Sequence, residues 1–366
     1  MHCNQLFISH ALSFVFLFAF TACQKKELPD NRAPRTIIVY MAADNDLSGV
    51  VSTNLDQMKQ GFSETGTHLI VFLDKKDESP RLLEIHPGKE TLVKSYSELN
   101  SADPAVMKEI ISEIIGLYPA KEYGLVLWSH ATSWMPAGST LRSFAVDSGT
   151  QMNIPELAVN LPLKFNFILF DACLMGSVEV VYELKDKAVY IIASPAETIY
   201  TGFPYDQIIP ELIKSKIDFN AVAQSYFNYY NAQSGVYQSA TISVVQTGNL
   251  ASLAYGMNLL CKNNSVNMQS LDRKSVQRLD MYKEQYTFDL SSFVDKIFPN
   301  ANKNDFMTRL NKAVLYKYHT PRFAAEYDIN TFCGLSCYIP LPGRDDLNAY
   351  YKSMKWYHDA GLNNLW

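Results

Sequence analysis

The chain has 366 residues, of which 48% are hydrophobic and 19% are charged, so it can bury a large core and form about two structural units. Its formal net charge is -5 and it has no long run of Lys or Arg, which excludes the basic surface expected of a nucleic-acid-binding protein. We therefore expect partners that are proteins or peptides, with no nucleic acid among them. We also expect the protein to be a monomer.

Residues 1–22 have the pattern of a signal peptide. The apolar stretch from 11 to 20 is too short to span a membrane and fits the core of an export signal. The sequence Phe-Thr-Ala-Cys that ends at Cys23 resembles a bacterial lipobox, which predicts cleavage before Cys23 and lipidation of its thiol. Residues 23–35 then form a polar tether. This predicts a protein of the cell envelope, periplasmic or on the outer surface, held to the membrane only by its lipid; the alternative is an ordinary secreted chain.

From residue 36 onward, short apolar runs alternate with amphipathic stretches. The runs TIIVYMA, HLIVFLD, YGLVLWS, FNFILF and AVYIIAS are strand-like, and RLLEIH with LVKSY is typical of a hairpin. Residues 47–61 are amphipathic, residues 102–117 have apolar positions at helical spacing, and a further helix is predicted from about Leu174. Near-continuous apolar runs separated by helices indicate an α/β fold with a mainly parallel sheet that is covered on both faces.

Residues 216–366 have more helical patterns and many Tyr and Phe residues. We expect this C-terminal region to continue the α/β core or to pack on it, with its aromatic side chains inside. Cys333 and Cys337 lie in one strand-like stretch, where four residues span about 13 Å, which is beyond disulfide reach. Both are therefore predicted to be core residues.

Two predicted strands are followed by residues with useful chemistry. His130 follows YGLVLWS, while Asp171 and Cys173 follow FNFILF. Ligands of open α/β sheets bind beyond the carboxyl ends of the strands, so these side chains are predicted to meet in one crevice. Cys173 would be a nucleophile and His130 its general acid and base. A thiol at the start of the predicted helix would also have a lowered pKa.

Other interpretations of these residues remain open at this stage. Cys173 can be an ordinary core residue, and His130 a structural hydrogen-bonding group. A zinc site would need Cys173, His130 and Asp171 to converge, and the chain has neither HExxH nor paired CxxC motifs. A serine triad that used Ser129 would lack the GxSxG motif.

Five blocks of the sequence resemble the clostripain family of cysteine peptidases, whose catalytic region shares the caspase-like fold of legumain, gingipains and separase. The blocks are VYMAADNDLS, GLVLWSHATSW, FILFDACLMGSVEV, IIASPAET and SATISVVQTGNL. The resemblance implies a caspase-like three-layer sandwich, with residues 36–215 as the catalytic domain and a mixed helical C-terminal extension. It also implies a cysteine endopeptidase that cleaves after Arg or Lys.

The resemblance assigns catalytic roles within this sequence. Cys173 would attack the scissile carbonyl and His130 would transfer the protons, while the backbone N–H groups of Cys173 and Ala131 would stabilise the oxyanion. Ala131 stands where the family usually has glycine, and alanine cannot adopt glycine-only backbone angles cheaply. The alternative function is therefore a catalytically impaired, peptidase-like lipoprotein that binds partners in the envelope.

The resemblance also suggests how a basic P1 residue is recognised. Asp171 would be the acid at the base of the S1 pocket, and Glu197 and Asp206 are candidates for a second acid. The structural alternative for Asp171 is a strand-end residue that accepts hydrogen bonds from loop amides. Some relatives cleave themselves between the His and Cys blocks, and Arg142 is the only basic residue between positions 131 and 163. Arg142 is thus a candidate self-cleavage site, or a structural arginine that pairs with Asp147.

No cofactor is required for this chemistry, and we predict no metal ligands. Some relatives use calcium, so calcium enters by family analogy only. The acidic residues of AADNDL do not form an EF-hand loop. We assign Asp44 and Asp46 to a turn and to a helix N-cap.

Overall fold

The computed structural model describes residues 32–137, 143–266 and 268–365, which cluster into one compact unit. The predicted signal peptide, Cys23 with most of the tether, and Arg142 lie outside the described residues. Within those residues, every helix is too short or too polar to cross a membrane.

Strands alternate with helices through the first half of the chain, as the apolar runs predict. The strands are β1 (Ala33–Ala43), β2 (His68–Lys75), β3 (Arg81–His86), β4 (Lys89–Ser95), β5 (Ala120–Trp128), β6 (Phe144–Asp147), β7 (Thr150–Met152), β8 (Phe165–Asp171), β9 (Ala188–Ala193), β10 (Thr241–Gln246), β11 (Thr287–Asp289), β12 (Val314–His319), β13 (Arg322–Phe323), β14 (Tyr327–Asp328) and β15 (Ser336–Tyr338). The helices are α1 (Val51–Gly61), α2 (Pro104–Leu117), α3 (Ile154–Asn160), α4 (Val178–Glu183), α5 (Tyr205–Leu212), α6 (Phe219–Asn231), α7 (Leu250–Asn263), α8 (Leu290–Ile297), α9 (Asn304–Ala313), α10 (Asp345–Tyr351) and α11 (Lys355–Asp359).

A nine-stranded sheet forms the centre of the molecule, in the order β12-β10-β9-β8-β5-β1-β2-β3-β4. Strands β9, β8, β5, β1 and β2 are parallel, which confirms the predicted α/β class with a largely parallel sheet. The predicted hairpin is β3 and β4, which pair antiparallel at one side of the sheet. At the other side, β10 and β12 add two antiparallel strands from the chain beyond residue 215.

Both faces of the sheet are buried. Alternate residues of β1 enter separate cores, with Ile38 and Tyr40 on one face and Ile37 and Val39 on the other. Each fully buried aliphatic side chain contributes about 1.5–3 kcal/mol relative to an exposed one. This two-sided burial explains why the strands are continuous apolar runs. It also stabilises the sheet at whose carboxyl edge the candidate site lies.

One predicted boundary is wrong, and it matters for the chemistry. The helix expected from Leu174 begins at Val178, five positions after Cys173, with the Ser177 hydroxyl accepting from the N–H of Val180 as the N-cap. Leu174 has a φ of +64°, in the left-handed region, so it cannot start a right-handed helix. Cys173 therefore lies in a turn, and the argument that a helix dipole lowers its pKa does not hold.

The predicted core cysteines are confirmed. Cys333 and Cys337 are buried free thiols, as is Cys261 in α7. Cys333 donates to the carbonyl of Leu335 at 3.2 Å, which gives its S–H a partner inside the core. Of the cysteines that the structure describes, Cys173 is the one that is partly exposed.

Candidate active site

The candidate site is a cleft at the carboxyl edge of the parallel strands. Trp128, the last residue of β5, pairs with Asp171, the last residue of the neighbouring strand β8. His130 lies two positions after Trp128, and Cys173 lies two positions after Asp171, so both follow the same paired level of the two strands. Both line one cleft, together with Asp171. The structure brings the three sequence-predicted residues to one place.

The thiol of Cys173 rests against the loop that follows β9. Its Sγ accepts from the N–H of Thr198 at 3.3 Å and approaches the carbonyl oxygen of Thr198 at 3.7 Å. Burial raises the pKa of Cys173 to about 12, an effect that the Thr198 N–H only partly offsets. The resting sulfur is therefore a neutral thiol, and a base must remove its proton before it can attack a carbonyl.

A strained turn holds Cys173 in position. The left-handed backbone of Leu174 costs roughly 1–2 kcal/mol for a residue with a side chain. Two backbone hydrogen bonds of 2.8 Å hold the turn to the segment that follows β9, from the Leu174 N–H to the carbonyl of Ala196 and from the Gly176 N–H to the carbonyl of Ser194. These bonds to the segment after β9 therefore sustain a conformation that the local sequence does not favour.

His130 has a carboxylate partner from a different strand end. Its Nε2 lies 2.5 Å from Oδ1 of Asp46, which follows β1. This corrects the assignment of Asp46 as an N-cap, because the cap of the short 3-10 helix Asp46–Val50 is Asn45, whose Oδ1 accepts from the N–H of Leu47. Asp44 remains a turn residue whose carboxylate accepts from the Ser148 hydroxyl at 3.2 Å.

The residues on either side of His130 have different surroundings. The Ser129 hydroxyl is buried and donates to the backbone carbonyl of Ala42 at 2.7 Å, so it has a structural partner rather than a catalytic one. Ala131 is also buried. Ser133 and Leu174 are among the left-handed residues of the described chain and Ala131 is not, so its backbone does not require glycine.

Asp171 is buried at the floor of the cleft. Its Oδ2 accepts from the N–H of Phe203 at 3.1 Å and from the hydroxyl of Tyr205 at 2.9 Å. Burial raises the pKa of Asp171 to about 6, although both hydrogen bonds act in the opposite direction. Gly202 packs directly on the carboxylate, because a Cβ at this left-handed position would lie 2.6 Å from Oδ2. The structural alternative for Asp171 is therefore also realised: it organises the loop after β9.

The other two proposed S1 acids lie elsewhere, since the residues lining the cleft include neither Glu197 nor Asp206. Glu197 is buried against the C-terminal region, where its Oε1 accepts from the N–H of Met281 at 2.7 Å. Asp206 lies in the first turn of α5, where its backbone packs against Gly61 of α1. Neither carboxylate is therefore part of the cleft that holds Asp171.

The chain beyond residue 215 also reaches the rim of the site. Tyr282 lies next to Met281, and its hydroxyl is 3.4 Å from Oγ1 of Thr132, two residues after His130.

Asp147, the proposed structural partner of Arg142, accepts from the N–H of Ser101 at 2.6 Å. In the described parts of the chain, no group of three or more His, Cys, Asp or Glu side chains is arranged to hold a metal ion.

Buried carboxyl groups make the stability of this protein depend on pH. Burial raises the pKa of Asp171 to about 6 and those of Asp74, Glu179 and Glu197 to about 7. In the unfolded chain such groups titrate near 4, so between about pH 4 and pH 7 the folded state holds protons that the unfolded state has lost. The free energy of unfolding should therefore fall as pH rises through this window. We expect a lower midpoint of thermal unfolding at pH 8 than at pH 5.

The matched variant for this prediction is Glu179→Gln, which lies on α4 away from the cleft. Glu179 is fully buried and accepts from the N–H of Tyr338 at 2.9 Å, a bond that Gln can keep. Removing one such group should flatten the pH dependence of the unfolding free energy by up to about 1.4 kcal/mol per pH unit. Denaturant melts in a Cys173→Ala background, where self-digestion cannot interfere, measure the slope. An unchanged slope would contradict the prediction.

Sequence reasoning missed the residues that support the site. Asp46 was not assigned to it, and of the loop after β9 only Glu197 and Asp206 were considered and not residues 198–205, although Asp46 and this loop both follow strand ends of the same parallel sheet. The rule that functional residues lie beyond strand carboxyl ends, applied to β1 and β9 as it was to β5 and β8, would have indicated both. The contacts of Gly202 and Tyr205 with Asp171 depend on tertiary folding and have no local signal.

Comparison with known proteins places this architecture in one family. The model of the Clostripain family matches residues 39–359. Clostripain from Hathewaya histolytica is 27% identical over 219 residues, which are 48% of this chain and 42% of that protein. The matched segment thus spans about two fifths of the length of that relative.

Solved structures resemble the chain over nearly its whole length. An inactive zymogen C11 protease from Parabacteroides distasonis is 32% identical with a TM-score of 0.81, covering 91% of this chain and 99% of the other. A secreted C11 cysteine protease from Bacteroides thetaiotaomicron, solved with an irreversible peptide inhibitor, is 30% identical with a TM-score of 0.80, covering 90% and 99%. Both confirm the predicted fold.

Proposed function

Because the chain belongs to the clostripain family of cysteine peptidases, which are hydrolases, we propose that it cleaves peptide bonds with Cys173 as nucleophile and His130 as general acid and base. The main support is that both residues leave neighbouring parallel strands at the same level and line one cleft. We propose protein or peptide substrates for that cleft, and the secreted C11 cysteine protease from Bacteroides thetaiotaomicron was solved with an irreversible peptide inhibitor.

The protonation of the resting site sets the order of events. Cys173 is a neutral thiol because burial raises its pKa, so His130 takes the Sγ proton as sulfur attacks the scissile carbonyl carbon. The resulting imidazolium gives that proton to the leaving amine, and a thioester with Cys173 remains. His130 then takes a proton from water, whose oxygen attacks the thioester carbon. The sulfur leaves and recovers a proton from His130, which restores the starting state.

The oxyanion formed in both steps needs donors near the sulfur. We propose the backbone N–H groups of Cys173 and Ala131, which follow the ends of β8 and β5. The alternative of a catalytically impaired, peptidase-like lipoprotein that binds partners in the envelope depended on alanine straining this position. Ala131 has no left-handed backbone, so the structural reason for expecting lost turnover is removed.

Asp171 is the proposed acid for a basic P1 residue. It lines the cleft at its floor, and its Oδ2 is engaged by Phe203 and Tyr205, so the carboxylate is rigidly held. An Arg or Lys side chain entering the cleft would pair with this carboxylate and stabilise its charged form. Preference for Arg or Lys at P1 follows from that pairing.

The processing of the chain remains as the sequence predicts it. We propose that residues 1–22 are an export signal and that Cys23 carries a lipid that anchors the enzyme in the cell envelope, with simple secretion as the alternative. We also propose Arg142 as a self-cleavage site between the His130 and Cys173 blocks. The enzyme is proposed to work as a monomer without a required cofactor.

Covalent labelling tests the proposed function directly. An acyloxymethyl ketone with Arg or Lys at P1 should modify Cys173, since its sulfur displaces the acyloxy group as His130 takes the thiol proton, and a norleucine analogue should react much more slowly. Peptide mapping by mass spectrometry identifies the modified residue. It is done on two samples, the intact protein and the protein after limited cleavage with trypsin. Absence of label on Cys173 in both samples would overturn the proposal.

A further inference from the structure

Asp46 is joined to His130 across two strands of the sheet. Its Oδ1 lies 2.5 Å from His130 Nε2, a short charge-assisted contact. Asp46 follows β1 and His130 follows β5, and these two strands are direct neighbours in the parallel sheet. The pair therefore forms at the same edge that carries Cys173.

The turn that presents Asp46 is firmly held, although Asp46 itself is exposed. The side chain of the preceding residue, Asn45, accepts from the N–H of Leu47 at 2.9 Å. Its Nδ2 also donates to the carbonyls of Ala42 and Val146, at 3.0 and 2.9 Å. Three hydrogen bonds from one side chain thus fix the backbone from which the Asp46 carboxylate extends.

From this geometry we propose that Asp46 is a positioning residue for His130, which deepens the proposed function and rests on it. A carboxylate at Nε2 keeps the N–H on that nitrogen, so Nδ1 is the ring atom that accepts the proton of Cys173. The negative charge also stabilises the imidazolium that forms after transfer. Asp46 acts through the orientation and charge of the ring.

The exposure of the pair separates this role from a structural one. The Asp46 side chain is 72% exposed and that of His130 is 22% exposed. Exposed ion pairs contribute little to folding stability, so removing Asp46 should leave the fold intact. An effect on turnover without an effect on unfolding therefore identifies positioning.

Steady-state kinetics on an Arg-terminated fluorogenic peptide tests the inference. Asp46→Ala should lower kcat about tenfold or more while KM changes less than twofold, because the loss falls on proton transfer. Asp46→Asn, which keeps an acceptor for the Nε2–H but not the charge, should retain part of kcat. The matched control is Asp44→Ala, since Asp44 binds Ser148 rather than His130 and should keep both constants.

Three results would overturn the inference. The first is a kcat for Asp46→Ala within twofold of the wild type, and the second is an equal loss in Asp44→Ala. The third is an increase in kcat, which would show that the contact restrains His130 instead. Failure of the proposed function looks different, because the wild type itself would then be no faster than Cys173→Ala. Thermal unfolding of each variant should match the wild type, which excludes misfolding as the cause.

Discussion

Replacing Cys173 by Ala should lower kcat/KM for peptide hydrolysis by about 10⁴-fold or more, because it removes the atom that forms the thioester. The change is small in volume, and the backbone N–H of Thr198 loses only a weak sulfur acceptor. The fold should therefore persist while turnover disappears. Fluorogenic peptides with Arg or Lys at P1 measure the loss.

Cys261 provides the matched control for this variant. It is a free cysteine on α7 that is buried in the core, and burial raises its pKa to about 12, as it does for Cys173. The two thiols thus have similar pKa values and differ in location, because Cys173 lines the cleft and Cys261 lies in the core. Cys261→Ala should keep activity within about twofold, with some loss of stability from the small cavity. Residual activity above one hundredth in Cys173→Ala would mean that another group is the nucleophile.

Much of the fold was predictable because its central strands are buried on both faces. Two-sided burial produces continuous apolar runs, such as the one in β8, that local sequence reveals without an alignment. The addition of β10 and β12 to the same sheet was not visible, because strand order depends on contacts between distant segments. The helix start was misplaced for a similar reason: Leu174 and Met175 continue an apolar pattern, yet they are buried in a turn, and the cap signal was Ser177.

The site was predictable in part. His130, Asp171 and Cys173 follow strands, and the parallel sheet brings strand ends together, so placing them in one cleft needed only topology. The state of the thiol was not predictable, because its raised pKa results from burial by the loop after β9 and from no nearby residue in the sequence. Asp46 was missed because Asp in a turn has an ordinary local explanation, whereas its partner is 84 residues away.

Asp171→Asn should lower kcat/KM for substrates with Arg or Lys at P1 by about 100-fold, because one partner of a largely desolvated charge pair is lost. Asn can still accept from Phe203 and Tyr205 through its carbonyl oxygen, so the loop after β9 should stay in place. The uncharged amide nitrogen that replaces Oδ1 would then face the cationic P1 side chain, with which it cannot form an ion pair. A citrulline substrate matches Arg in shape without its charge. The Asp171→Asn variant should cleave it at a rate within about threefold of the rate of the wild-type enzyme on the same substrate.

Glu197→Gln is the matched control, because Glu197 is also a buried acid with a raised pKa near the same loop but does not line the cleft. Its Oε1 holds the N–H of Met281, a bond that Gln preserves, so kcat/KM for basic substrates should change little. Comparable losses in the two variants would mean that charge near the cleft, rather than a direct P1 contact, determines selectivity. Equal losses on Arg and citrulline substrates in Asp171→Asn would instead assign Asp171 to loop structure alone. Only a loss confined to cationic P1 residues and to Asp171 supports the S1 role, because a direct ion pair requires both the charge and the location.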